Sequence, residues 1–320
     1  MPLFIRERDV EQLLTMDDAL DAVEEAFRLQ GLGKADNRPR QRPRLEHAML
    51  QVMPAALPGI GFGLKAYTIA SGGVRFVVLL WDEASGDLQA VIEAGYMGQM
   101  RTGAASGVAT KHLARPDAAT VGIFGTGTQA PTQLEAVCAV RPIEHVFVYS
   151  PTTEHRRRFA AETSERLDVR VDPVDAPGAA VTDADVVITI TKAAEPLFDG
   201  DWLRPGVHVN AAGSNRAAAR EIDARTVERA DLVTIDDRAQ GRVEAGDLIA
   251  AAGEGILAWD GVVELGQVVA GAHEGRCDPD QITLFESLGI AIEDVAVARC
   301  VYDKALDLGI GEPFPETILG

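Results

Sequence analysis

Residues 120–139 read TVGIF-GTGTQA-PTQLEAVCA. A short apolar run of strand-forming residues (120–124) is followed by Gly125-Thr126-Gly127-Thr128-Gln129-Ala130, and then by a run with helical composition. The central hexapeptide has the spacing G-x-G-x-x-A. Its first glycine permits a tight turn. The second carries no side chain to hold a pyrophosphate off the backbone, and the small Ala130 lets helix and strand pack closely. A helix starting at this point offers free N–H groups and the positive end of its dipole to phosphates. Pro131 suits the first helical turn, where its missing N–H costs nothing. A bare glycine pattern is weak evidence. This one has the strand before it and the helix after it, and therefore predicts dinucleotide binding over an ordinary βα turn.

Strand and helix signals alternate on the C-terminal side of this turn. Strands are expected at 119–124, 145–149, 186–190, 207–210 and 232–235, with helices at 129–139, 154–165 and 224–229. Such alternation implies an α/β fold with a doubly wound parallel sheet of the Rossmann kind. On the N-terminal side the rhythm differs. A helix is expected at 16–29 behind Thr15 as N-cap. A polar stretch (31–44) with Pro39 and Pro43 follows. Strands are then expected at 49–53, 63–69, 74–81 and 88–92, separated by Pro58-Gly59, Ser71-Gly72-Gly73 and Ser85-Gly86. Residues 97–113 read as a helix rich in Ala, Gly and Ser. Helices are expected at 259–269 and 284–307, the latter ending at Gly309 and packing back on the N-terminal half. The expected organisation is a discontinuous α+β dimerisation and substrate domain (1–115 and 297–320) around a Rossmann domain (116–296).

Composition narrows the function classes. The 320 residues suit two domains. A net charge of −19 argues against nucleic acid and anionic membranes as partners. No apolar run approaches the roughly 20 residues of a membrane span. The start, MPLFIRERDVEQLL, turns acidic at once and lacks a signal-peptide apolar region. Cys138, Cys277 and Cys300 show no metal spacing and cannot all pair, so reduced thiols and a cytoplasmic location are expected. The six histidines offer no ligand spacing, and no metal is expected.

Several dispersed motifs occur in order: PR (39–40), MPA (53–55), GLKAYT (63–68), MRTGAASGVATKHLAR (100–115), GTGTQA (125–130), GVHVNAAGSN (206–215), REID (220–223) and FESLGIAIED (285–294). Together they resemble the ornithine cyclodeaminase/μ-crystallin family. The resemblance implies a homodimer, NAD or NADP as cofactor, and hydride transfer at the carbon that bears nitrogen in a small α-amino or α-imino acid. It assigns Arg40, Lys65 and Arg101 to the substrate carboxylate, with Lys65 also a proton donor. Lys65 stands in an otherwise apolar strand, where burial would lower its pKa. Arg101 opens a helix of small residues, and a guanidinium grips a carboxylate through two parallel bonds. Arg42 and Arg44 follow Arg40 at period two and are the alternatives to it.

On the cofactor side the resemblance points to Gly125, Gly127, Thr128 and Gln129 at the pyrophosphate, and to Thr191, Asn210 and Ser287 beside the nicotinamide. Ser150 and Thr152 stand where NAD-specific folds place a carboxylate on the ribose hydroxyls. With no acid there and Arg156–Arg158 nearby, NADP ranks slightly ahead of NAD. μ-Crystallin has Asn-Arg-Thr where this chain has Ser150-Pro151-Thr152, a departure that weakens that ranking. Two more departures concern chemistry. Asn215 replaces the aspartate thought to act as acid/base in ornithine cyclodeaminase, and an amide accepts no proton at neutral pH. Gln51 replaces a glutamate near that substrate's distal amine. Both point away from ornithine and toward an imine reductase or amino-acid dehydrogenase, with Asn215 retained among the catalytic candidates. Ornithine cyclodeamination, and a non-catalytic crystallin-like protein that keeps its cofactor, are the alternatives.

Overall fold

Alternating side chains between residues 48 and 93 build the first sheet. In the computed structural model, which describes residues 2–314, the chain divides into two units, Met1–Arg101 with Ile290–Gly320, and Thr102–Gly289. The sequence placed the divisions at 115/116 and 296/297. The first instead falls within a continuous helix, which carries no break in its sequence to mark it. The second follows Gly289, whose φ of 73° turns the chain ahead of the last long helix.

The first unit begins with β1 (Leu3–Ile5), α1 (Glu7–Leu13) and α2 (Met16–Gly31). Thr15 caps α2, its hydroxyl accepting from the Asp18 N–H while the Asp18 carboxylate accepts from the Thr15 N–H. Then come β2 (Asp36–Asn37), β3 (Ala48–Leu57), β4 (Gly61–Ala70), β5 (Gly73–Trp81), β6 (Leu88–Glu93) and α3 (Gly95–Leu113). β3, β4 and β5 pair antiparallel, with Met53 opposite Lys65, Gln51 opposite Tyr67, and Val78 opposite Lys65 on its other side. The period of two therefore puts Gln51, Met53, Lys65, Tyr67 and Val78 on one face, which is buried.

The second unit opens with β7 (Thr120–Phe124), α4 (Ala130–Val140), β8 (His145–Tyr149), α5 (Thr153–Leu167) and β9 (Arg170–Pro173). It continues through β10 (Val186–Thr189), β11 (His208–Ala211), α6 (Ala224–Arg229), β12 (Leu232–Ile235), α7 (Arg238–Glu244), α8 (Gly246–Gly253), β13 (Val263–Glu264), α9 (Leu265–Val269) and β14 (Thr283–Glu286). The strand order is β13-β12-β14-β11-β10-β7-β8-β9, with every pair parallel. One apolar cluster joins Val121, Ile123, Val146 and Ile188 to Leu134 of α4 and Phe159 of α5. Another joins Val187, Val209, Val233 and Leu284 to Val227 of α6 and Leu248 of α8. Helices thus cover both faces, as a doubly wound sheet requires.

The chain returns to the first unit through α10 (Ala291–Leu308), ended by Gly309 at φ 65°, and β15 (Glu312–Pro313), which pairs with β1. Two expected helices need correction. Residues 284–286 belong to a strand, β14, not to the last helix. Its four residues are fully buried between β11 and β12, and a strand buried on both faces has no polar alternation to distinguish it from a buried helix. Residues 259–269 form a short 3₁₀ turn (Trp259–Gly261), β13 and the short α9 instead of one helix.

Candidate active site

In the second unit, the strand order reverses direction between β7 and β10, the point at which open α/β sheets bind ligands beyond their carboxyl ends. A cavity of about 740 Å³ lies there, lined by the loop after β7, the end of β8, the start of α5 and the residues after β10. Gly125 holds φ 111°, and a Cβ on it would lie 2.4 Å from the Ile190 carbonyl oxygen, so the turn itself demands glycine. Gly127 differs. A Cβ there would meet no protein atom within 4 Å, so nothing within the chain requires its absence. The open space there is room for a phosphate to approach the backbone. α4 starts without a side-chain cap, leaving its first N–H groups for an anion. Volume, glycine and helix end fit a dinucleotide.

Gly125, Gly127, Thr128, Gln129, Ser150, Thr152 and Thr191 all line this cavity. Its other polar lining includes His155, Arg158 and Lys192, and no acidic side chain contributes. Of the arginine triplet, Arg156 is buried and tied to the Ser150 carbonyl and to Asp175, while Arg158 faces the cavity.

Asn210 and Ser287 do not line the cavity. Asn210 is fully buried beneath α3, its amide donating to Thr110 Oγ1 and its oxygen 3.1 Å from His208 Nε2. Ser287, 3% exposed just past β14, has a buried hydroxyl without a hydrogen-bond partner. Asn215 is half-buried on the loop after β11 and also stands outside the cavity lining. A residue that sequence reasoning missed organises this end of the sheet. Glu221, 1% exposed, accepts from Thr189 Oγ1, Gly213 N–H, and both the N–H and the hydroxyl of Thr191. Burial pushes its carboxyl up to about 7, against the pull of those donors. Because Thr191 gives its proton to Glu221 and accepts from the Ala193 N–H, its hydroxyl offers a ligand one lone pair at most. The signal was present in the motif REID, whose second acid, Asp223, caps α6 while Glu221 has no such local role.

The first unit contains a second polar cluster, on the buried face of β3–β5. Arg40 is 6% exposed, and its Nε–H donates to Met53 Sδ, opposite Lys65 in the sheet. Arg42 is half-buried and Arg44 exposed, so the three arginines differ in burial. Lys65 is 2% exposed, and its ammonium lies 5.7 and 5.4 Å from the ring centres of Tyr67 and Phe76. Lys65 Nζ donates to Asp294 Oδ1 at 2.8 Å. Arg101 Nε is 3.1 Å from the same oxygen, and Arg101 Nη1 donates to Glu293 Oε2 at 2.6 Å. Burial, and then Arg101, bring the Lys65 ammonium down to about 8, while Asp294 pulls it up. Burial lowers Arg101 too, but Asp294 and Glu293 outweigh it and hold the guanidinium above its ordinary value. Tyr67 donates its hydroxyl to Gln51 Oε1 at 2.6 Å, a neutral pair beside three cations. Sequence reasoning named the cations and missed their carboxylates, although Glu293-Asp294 interrupts the apolar run IAIEDVAVA and consecutive buried charges require partners.

Comparison with known proteins shows the family. The family model for the ornithine cyclodeaminase/mu-crystallin family matches residues 2–309. A Δ1-pyrroline-2-carboxylate reductase of Bacillus cereus is 37% identical over 82% of this chain and 83% of its own length. The solved structure of Thermococcus litoralis Δ1-pyrroline-2-carboxylate reductase in complex with NADH and L-proline superposes with a TM-score of 0.93 at 36% identity, covering 98% of this chain and 100% of the other. An archaeal alanine dehydrogenase dimer with bound NAD superposes with a TM-score of 0.92 at 35% identity, covering 98% and 99%.

Proposed function

This chain belongs to the ornithine cyclodeaminase/mu-crystallin family, and from that premise we propose that it is an NAD(P)H-dependent oxidoreductase acting on the C–N bond of a small α-imino or α-amino acid. The observation that carries this reading is the buried cluster of the first unit. Arg40, Lys65 and Arg101 are gathered there as buried cations, with Asp294 on Lys65 and Glu293 on Arg101. Guanidinium and ammonium donors in a buried site bind a substrate carboxylate strongly, through charge-assisted and two-armed hydrogen bonds. The Arg101 N–H groups not given to Glu293, together with Arg40, hold that carboxylate. Lys65 holds the proton that the imine nitrogen takes as it becomes an amine. The nicotinamide cofactor, when bound, supplies the hydride for the imine carbon. Gln51 and Tyr67 pair with each other and present no charge, so the substrate's side chain is small or apolar. An ornithine ammonium would find no counter-charge at Gln51 or Asn215, which speaks against cyclodeamination. The test is a panel of pyrroline-2-carboxylate, piperideine-2-carboxylate, pyruvate with ammonia or methylamine, and ornithine, each with both cofactors. Reduction of at least one imine is expected. Release of ammonia and proline from ornithine, or no turnover of any imine, would sink the reading.

For the cofactor we rank NADP(H) slightly ahead of NAD(H). A cavity with Arg158, His155 and Lys192 and no acidic lining, in a chain of net charge −19, supports it. The relatives solved with NADH and NAD weigh the other way. Arg158→Ala is expected to raise KM for NADPH and leave KM for NADH nearly unchanged.

We also propose a homodimer built on the outer face of the first sheet. That face carries Leu50 and Phe62, 39% and 46% exposed, with the half-buried Leu64, Leu79 and Trp81 beside them. Exposed apolar surface of this kind marks an interface. Phe62→Glu is expected to shift the protein from dimer to monomer in sedimentation.

A further inference from the structure

Two consecutive carboxylates in the first turn of α10 are buried with no exposure at all, a place where the helix dipole favours negative charge. They do not share their work equally. Glu293 meets Arg101 at 2.6 Å and the backbone N–H of Ile290. Asp294 uses a single oxygen, Oδ1, for both Lys65 Nζ at 2.8 Å and Arg101 Nε at 3.1 Å. The second oxygens, Glu293 Oε1 and Asp294 Oδ2, are buried without hydrogen-bond partners. A polar cluster kept only for architecture would satisfy both oxygens, because orphaned buried acceptors are destabilising. The close approach of β4 to α10 is also specific. A Cβ on Gly63 would fall 2.3 Å from Val295 Cγ2, so the glycine two residues before Lys65 lets the strand reach the helix that carries Asp294.

We propose that Asp294 is a positioning residue for the reaction. Its shared oxygen fixes the spacing between the proton donor, Lys65, and the carboxylate clamp, Arg101, and its charge keeps Lys65 protonated. This rests on the function proposed above. The groups facing the Lys65 ammonium are Asp294 from α10, Arg101 from α3, Arg40 from the segment before β3, and Tyr67 from its own strand. Arg42 adds to the positive side, and Glu293 acts through Arg101. All but the two carboxylates and the neutral phenol are cations. Once Asp294 is neutralised, Lys65 therefore loses its proton at lower pH.

Two measurements test the proposal. The first needs no turnover: a double-mutant cycle of Asp294→Asn and Lys65→Met by urea unfolding at pH 7. The double variant is expected to unfold at higher urea than the summed losses of the two single variants predict. Additive effects would overturn the proposal whether or not any imine is a substrate. If Asp294→Asn does not fold alone, recovery of fold in the double variant supports the pairing, and failure of both overturns it. The second is the pH profile of kcat/KM for an imine that the wild type reduces. Asp294→Asn is expected to move the alkaline fall by at least one unit toward acid, and Asp294→Glu to move it back while kcat stays low. Glu293→Gln is expected to raise KM without moving that fall. An Asp294→Asn profile lowered equally at every pH would show a structural role only and overturn the proposal. Wild-type inactivity toward every imine, with the cycle non-additive, would sink the function and leave the pairing standing.

Discussion

A lysine inside an apolar strand is legible at the level of one residue, because burial without a purpose would be too costly to keep. Lys65 was read in this way from GLKAYT. Asp294 was not, because its bond to Lys65 joins residues 229 apart and no local pattern reports such a pairing. Lys65→Met is expected to lower kcat/KM for imine reduction by about 10²–10⁴, the usual worth of a positioned proton donor, with cofactor affinity unchanged. Steady-state kinetics with fluorescence titration of NADPH would check both parts. The same residue carries a stability signature. Its folded pKa of about 8 lies below the roughly 10.4 of an unfolded lysine. Between those values the unfolded chain binds more protons, so stability rises with pH across that window. At 1.36 kcal/mol per unit the full effect is at most roughly 3 kcal/mol. Lys65→Met is expected to lose this rise in urea midpoints measured between pH 8 and 10.

The turn after β7 was legible as an element, because strand, glycines and helix occur in the order that a phosphate cradle requires. β14 was not, because a fully buried strand and a buried helix share one apolar signature. In β7 and the turn after it the glycines divide by cause. A Cβ on Gly122 would come within 1.6 Å of the Ala180 carbonyl oxygen, a clash with backbone that cannot rotate away. Gly122→Ala is expected to cost about 1–3 kcal/mol or more, as overpacking does, read as a lower thermal midpoint without cofactor. Gly127→Ala meets open space at an unstrained φ and is expected to leave that midpoint unchanged or slightly higher. It is expected to raise KM for NADPH and NADH alike. If Gly127→Ala bound both cofactors as tightly as the wild type, the second glycine would not be a phosphate contact.

At the scale of the whole molecule, the two clusters belong to different units, with the cavity lining within Thr102–Gly289 and the cations within the other. Because they lie in different units, the two proposed binding functions are independently addressable by substitution. A ligand bound to the folded state alone stabilises it by about 2.7 kcal/mol at a hundred times its Kd. For a unit of this size that corresponds to a rise of roughly 5–10 °C in its thermal midpoint, at about 2–4 °C per kcal/mol. NADPH is expected to produce that rise in the wild type and equally in Lys65→Met and Arg101→Lys, whose substitutions lie in the first unit. Arg158→Ala is expected to lose most of the NADPH rise and keep the NADH rise, since its side chain lines the cavity. Arg101→Lys keeps one positive charge but lacks the second arm that reaches both Glu293 and Asp294. Its KM for the imine is expected to increase by roughly ten- to a hundredfold, the worth of about 1.5–3 kcal/mol for a charged hydrogen bond. Calorimetric scans of the four proteins with each cofactor decide the matter. If Lys65→Met or Arg101→Lys abolished the NADPH rise, cofactor binding would depend on the first unit's cations, and the assignment of one function to each unit would be wrong.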